Sequence, residues 1–193
     1  MSQVGNSYFS GQLLLSMPHM EDPRFHKAAI LVCAHDEKGA MGIVINHTLP
    51  DLEFGKLLKD LDIQSDIHVP PTIAKLPVMC GGPIEIARGF LVHSDDFKQE
   101  GTIKIDENLN VTGTIDAIEA IAKGSAPEKM LFALGYAGWS AGQLEKEIKE
   151  NAWMIAPASA QLVFNTASDN IWNSGMLQIG INPSLLSDQS GRA

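Results

Sequence analysis

The chain has 193 residues, 45% of them hydrophobic and 19% charged, enough for one globular domain with a substantial core. Its 23 acidic and 14 basic side chains leave a formal charge of −9, with Lys and Arg scattered singly. Such a surface repels phosphate backbones and anionic lipid heads, which argues against direct DNA binding and against a membrane partner.

Residues 1–10 lack the basic start and apolar run of a signal peptide, and the longest apolar run, 28–34, is too short to span a bilayer. The cytoplasm is the expected compartment. One domain over 1–193 is expected, with 1–10 and 184–193 loose.

Residues 12–16 (QLLLS) and 28–34 (AAILVCA) read as buried strands, and 41–46 (MGIVIN) as the return of a hairpin turned at 36–39. Runs this apolar belong in the middle of a sheet, covered on both faces. Helical spacing follows over 51–61, with Asp51 as N-cap and Phe54, Leu57, Leu58 and Leu61 on one face. Residues 62–76, with paired prolines, read as a loop. Strands are expected at 77–80 and 88–94, and a polar hairpin over 102–112. The clearest helix is 114–124, with Ile115, Ile118, Ile121 and Ala122 as its stripe and Gly124 as its stop.

An apolar strand at 130–134 leads into Gly135-Tyr136-Ala137-Gly138-Trp139-Ser140, which reads as a glycine-rich turn around two large rings. Ser140 and Gln143 have capping-box spacing, so a helix is expected from Ala141. On it Leu144, Ile148 and Ala152 form an apolar stripe, and Glu145 pairs with Lys149. A strand at 153–155 and two short helices, 159–164 and 169–179, complete the chain.

The residues spell out no catalytic machinery. Neither a GxSxG nor a HExxH is present, and His19, His26, His35, His47, His68 and His93 lack zinc-ligand spacing, although His35 and His47 could meet across the first hairpin. No metal and no cofactor are expected. Cys33 and Cys80 read as buried thiols rather than a disulfide. Gly81-Gly82-Pro83 lacks the lysine of a phosphate cradle and reads as a turn. A helix-turn-helix placed over Gly138 would aim Glu145, Glu147 and Glu150 at the DNA groove, which rules it out as a reader of bases.

The segments GQLLLSMPHMEDPRF, VCAHDEKGAMGIVIN, GGPIEIARGFLVHS, LGYAGWSAGQLEKEI and NAW together resemble the YqgE/AlgH family of small bacterial proteins. The resemblance runs from about residue 11 to 191. His47-Thr48 departs from it, standing where the family usually reads Arg-Pro. The resemblance implies a compact α+β fold, a curved and partly barrel-like mixed sheet surrounded by helices. It also brings a transcriptional-regulator label, without catalytic residues. The expected function is that of a cytosolic, non-enzymatic regulatory or interaction protein acting through protein partners. The alternative is a small-molecule-binding protein or weak enzyme using a groove near 135–143. Its candidate surface is Arg88, His93, Tyr136, Trp139, Ser140 and Gln143.

Overall fold

The computed structural model describes residues 9–63, 69–113 and 115–186. His68 and the outer parts of both termini, 1–8 and 187–193, lie outside them. Of the segments expected to be loose, Phe9 stacks on His35 and Leu186 packs against the core.

Among the described residues ten strands share one sheet. β1 (Gln12–Ser16), β2 (Ala29–Asp36) and β3 (Gly39–Val44) follow one another as antiparallel neighbours, with β10 (Trp153–Pro157) outside β1. Side chains of these strands point alternately to two covered faces, which is why their sequences are continuous apolar runs. Leu13, Leu15, Leu31 and Ile43 pack with α5 (Ala160–Asn165) and α6 (Ser168–Gln178), whose Trp172 donates its indole N–H to the Ser16 carbonyl at 2.9 Å. Leu14, Ile30, Val32 and Val44 face the other way, toward Leu144 of α4 (Gln143–Lys149).

The sheet is organised by β9 (Met130–Ser140). One edge of its C-terminal end pairs with β3, and Phe132–Leu134 pairs in parallel with β5 (Pro77–Cys80). The opposite edge carries β6 (Ile84–His93), followed by β8 (Asn110–Thr112) and β7 (Ile103–Lys104). Beneath this half, α1 (Phe54–Asp60) and α3 (Ile115–Ala122) pack on Val78, Leu91 and Phe132.

Residues 135–140 are therefore strand and not the expected turn. Gly135, at φ +76°, shifts the alternation by one residue. Before it Leu131 and Ala133 share a face with α6; after it Tyr136 takes that face, and Ala137 and Trp139 turn toward α4. Gly81 and Gly82 press against this point: a Cβ on Gly82 would stand 2.1 Å from the Tyr136 carbonyl carbon. The two glycine-rich stretches are halves of one backbone contact.

Other expectations need correction. Residues 48–53 form β4 (Thr48–Glu53), which pairs with β5 and leaves Asp51 at a left-handed φ of +57°, away from the helix start; α1 begins at Phe54 behind an extended Glu53. Leu61 and Ile115, expected on buried stripes, are exposed. Of the expected loop at 62–76, residues 64–68 lie outside the described residues, and the remainder contains a short helix, α2 (Pro71–Ala74). Gly142, not Ser140, sits at the N-cap of α4, and Glu145 turns inward to His35 at 3.3 Å instead of meeting Lys149. His47 bonds the His26 carbonyl, so the two histidines of the first hairpin have different partners. Cys33 is buried, and its burial pushes the thiol up to about 12, whereas Cys80 is exposed. The sheet is also not closed, so it is not barrel-like. Its path ends at β10 and β7, and β7, two residues long, is too short to supply a closing ladder. No helix among the described residues is long and apolar enough to cross a membrane.

Candidate functional site

The shift at Gly135 carries Trp139 under α4, where the candidate residues begin to converge. Gln143 and Glu147 lie four residues apart and so share one face of α4. The Gln143 side-chain oxygen accepts from the Ser140 backbone N–H at 3.0 Å and from its hydroxyl at 3.1 Å; its NH2 donates to Glu147 Oε1 at 2.8 Å. Glu147 Oε2 accepts from two indoles, Trp139 Nε1 and Trp153 Nε1, each at 2.8 Å. The two rings meet edge to face, 6.0 Å apart at 81°, and Phe25 extends the stack against Trp153 at 5.7 Å.

A groove of about 540 Å³ runs over this cluster. Its floor holds Trp139, Trp153 and Glu147, and its rim carries Glu21, Asp22, Arg24 and Glu150. The carboxylates outnumber the single guanidinium, which is already engaged with Asp22 at 2.6 Å. Hydrogen bonds from Arg24 hold the Asp22 carboxyl below its usual range. The groove is therefore an acidic concavity on a rigid aromatic floor. Both oxygens of Glu147 are occupied by donors that its departure would strand, so it is poorly placed to move protons.

The six candidates do not form one surface. Trp139, Ser140 and Gln143 come together at the groove. Arg88 stands on an exposed excursion of β6, ion-paired to Glu85 at 2.9 Å and 5.1 Å above the Phe90 ring; Tyr136 meets the same ring edge-on at 5.8 Å, packed against the core. His93 is fully buried. Among the described residues no group of three or more His, Cys, Asp or Glu side chains could hold a metal ion. Sequence reading missed Glu147, Trp153, Phe25 and the rim. The signal was present in part: Gln143 and Glu147 share a helical face with Leu144 close by, yet 145–150 read as a solvated surface.

His93 is instead the end of a buried polar chain. Its Nδ1–H donates to the Ser94 carbonyl at 2.8 Å, so Nε2 is the acceptor and takes the Thr112 hydroxyl at 2.8 Å; Thr102 donates to Thr112 at 2.7 Å. Burial pulls the His93 pKa below its ordinary value, against the Ser94 carbonyl, which pulls it up. The neutral ring is thus the folded form, and the unfolded chain binds the extra proton. Stability should be complete above the unfolded pKa, about 6.5, and fall as the pH drops below it, by at most about 1.4 kcal/mol per pH unit for one proton. Denaturant melts between pH 7.5 and 5.5, roughly spanning that pKa, should show this slope, and His93→Gln should flatten it. An unchanged slope would assign the acid sensitivity elsewhere, for instance to His47, whose pKa burial also lowers.

The sequence model of a family described as AlgH-like matches residues 13–184. A UPF0301 protein of Nitrobacter hamburgensis is 46% identical over 191 residues, covering 97% of this chain and 88% of its own. Another, from Rhodospirillum rubrum, is 44% identical, covering 99% and 97%. The solution structure of the AlgH protein from Pseudomonas aeruginosa superposes with a TM-score of 0.76 at 36% identity, covering both chains in full. A crystal structure of a Corynebacterium diphtheriae protein gives 0.65 at 23% identity over 86% and 84% of the chains, a likeness of fold alone.

Proposed function

The chain belongs to the AlgH-like family, and from that premise we propose that it is a non-enzymatic regulatory protein of the cytosol that acts by binding a protein partner. The acidic groove receives a basic segment of that partner. The observation that carries this reading is Glu147, a carboxylate fixed by two indoles and an amide at the floor of a carboxylate-rimmed concavity. A preorganised floor loses little entropy on binding, and the rim charges steer a cationic chain toward it. The regulatory element of this reading comes from the family name, and the carboxylate-rimmed groove supports a basic partner.

The test pairs two probes. A fluorescein-labelled peptide of alternating Arg and Gly should bind saturably and release with added salt, and Glu21→Lys with Glu150→Lys should weaken it. Labelled duplex DNA should give no anisotropy change at micromolar protein in about 50 mM salt, where electrostatic binding is strongest. A salt-sensitive DNA complex, or a peptide affinity indifferent to the charge reversals, would overturn the proposal.

A second reading, a small-molecule-binding protein at the same groove, draws on its volume of about 540 Å³, within the range of small-ligand cavities. Spermidine in place of the peptide separates the two. Binding of spermidine that the peptide cannot displace favours the small molecule.

A further inference from the structure

The acidic groove carries a cationic side chain of its own. Pro23–Phe25 makes a short 3-10 turn, and Asp22 caps it by accepting the Arg24 backbone N–H at 3.0 Å. The turn sends the Arg24 side chain back onto the same carboxylate. Nε donates to Oδ1 at 2.9 Å and to Oδ2 at 3.1 Å, and Nη2 donates to Oδ2 at 2.6 Å. The guanidinium carbon lies 5.9 Å from the centre of the Phe25 ring, which Trp153 braces edge to face at 5.7 Å. Asp22, Arg24, Phe25 and Trp153 all line the groove. A two-oxygen acceptor beside an aromatic ring suits a planar, forked guanidinium, whereas an ammonium is a point charge that matches neither feature as well.

Resting on the groove as the partner's docking site, we propose that Arg24 is an intramolecular stand-in for an arginine of the partner, displaced from Asp22 and Phe25 when that arginine binds. The acceptor outlasts the exchange, because the Asp22 carboxylate is also held by a backbone N–H that stays when the side chain swings out. The Arg24 side chain is 63% exposed against 30% for Asp22, so the guanidinium leaves into water while the carboxylate keeps its place on the rim. An ion pair this exposed is weak and readily traded. The trade is like for like: one guanidinium–carboxylate pair is lost and one is gained, so Asp22 is never left unpaired. Arg24 thereby lowers the affinity of the groove for the partner, as an autoinhibitory contact, and the partner is recognised by arginine rather than lysine.

The probes are two fluorescein-labelled peptides of equal length and charge, alternating Arg and Gly or Lys and Gly, titrated into the full chain and its variants. Arg24→Gln should tighten the Arg peptide about threefold, within the worth of an exposed ion pair, and the Lys peptide by less, so that the preference for arginine widens. Lys27→Gln removes the same charge from a lysine that lies over the Trp172 ring, and should leave the preference unchanged. Asp22→Asn keeps an oxygen for the Arg24 N–H, so the turn is preserved. Added to Arg24→Gln, it should cancel the gained preference. Equal or absent tightening of the two peptides by Arg24→Gln overturns the stand-in role, as does a widened preference that survives Asp22→Asn; the groove then remains a site for a basic partner. Saturable binding of neither peptide, to wild type or to Arg24→Gln, overturns the groove as the partner's site and the stand-in with it.

Discussion

Trp139→Ala should lower the unfolding free energy by about 3–5 kcal/mol, the cost of truncating a buried tryptophan. The ring is 7% exposed and packs with Ile30, Val32, Val44 and Leu144 beneath α4. Gly42 on the neighbouring strand lies beside the ring, a Cβ there standing in ordinary contact 3.5 Å from Trp139 Cζ3. Truncation also removes one of the two indole donors that hold Glu147. Against a total stability of roughly 5–15 kcal/mol the loss is large. Ser140→Ala is the comparator. Because Gly142 occupies the N-cap and the Ser140 hydroxyl reaches only the exposed Gln143 oxygen, it should stay within about 0.5 kcal/mol of wild type, well below the worth of a capping serine. Denaturant melts decide both. A Trp139→Ala protein within about 1 kcal/mol of wild type, against the 3–5 kcal/mol expected, would mean that the ring serves binding and not the fold.

Gly135→Ala should be more damaging still, with a loss of at least about 4 kcal/mol or no soluble protein. Two costs combine. A φ of +76° is left-handed, and an alanine there loses about 1–2 kcal/mol from backbone sterics alone. Its Cβ would also lie 2.4 Å from the Gly82 carbonyl oxygen and 3.1 Å from that of Ile84. Those oxygens belong to the backbone at the junction of β5 and β6, so relief requires parting the sheet at its central strand. Gly142→Ala separates the two costs, because Gly142 has a φ of +72° with nothing within 4 Å of its Cβ position. It should lose only the backbone share. Equal melts for the two variants would show that the close approach at Gly135 carries no weight.

Much of the architecture was legible in local pattern. Leu13 to Leu15, Ala29 to Cys33 and Ile43 to Ile45 are apolar without alternation, which requires strands covered on both faces, and they form the interior of the sheet. The spacing of Ile118, Ile121 and Ala122 gave α3, and Gly124, at φ +91°, stops it as expected. Where the pattern misled, long-range pairing overrode it. The string 135–140 has the composition of a turn, yet β3 and Ile84 hydrogen-bond it into a strand. Asp51 has the chemistry of an N-cap, but β4 pairing with β5 leaves it left-handed.

The candidate site divides along the same line. Trp139, Ser140 and Gln143 were legible because they are near neighbours in sequence, within reach of one helix turn. Arg88 and His93 were not separable from them, since only the register of β6 against β9 puts one on an exposed excursion and the other in the core. Glu147 and Trp153 were missed because a glutamate on an acidic helix looks solvated until two indoles are aimed at it.

By itself, the sequence determined the strands and helices whose periodicity is local, the acidic balance that disfavours nucleic acid, and the family resemblance. Tertiary structure alone decided that Gly81, Gly82 and Gly135 form one contact, that the sheet stays open, and that two indoles converge on a single carboxylate. The physical reason is range. Periodicity and capping act within a few residues, whereas the glycine contact joins backbone segments more than 50 residues apart closely enough to exclude a Cβ, and the indoles meet Glu147 only once β9, α4 and β10 are packed together.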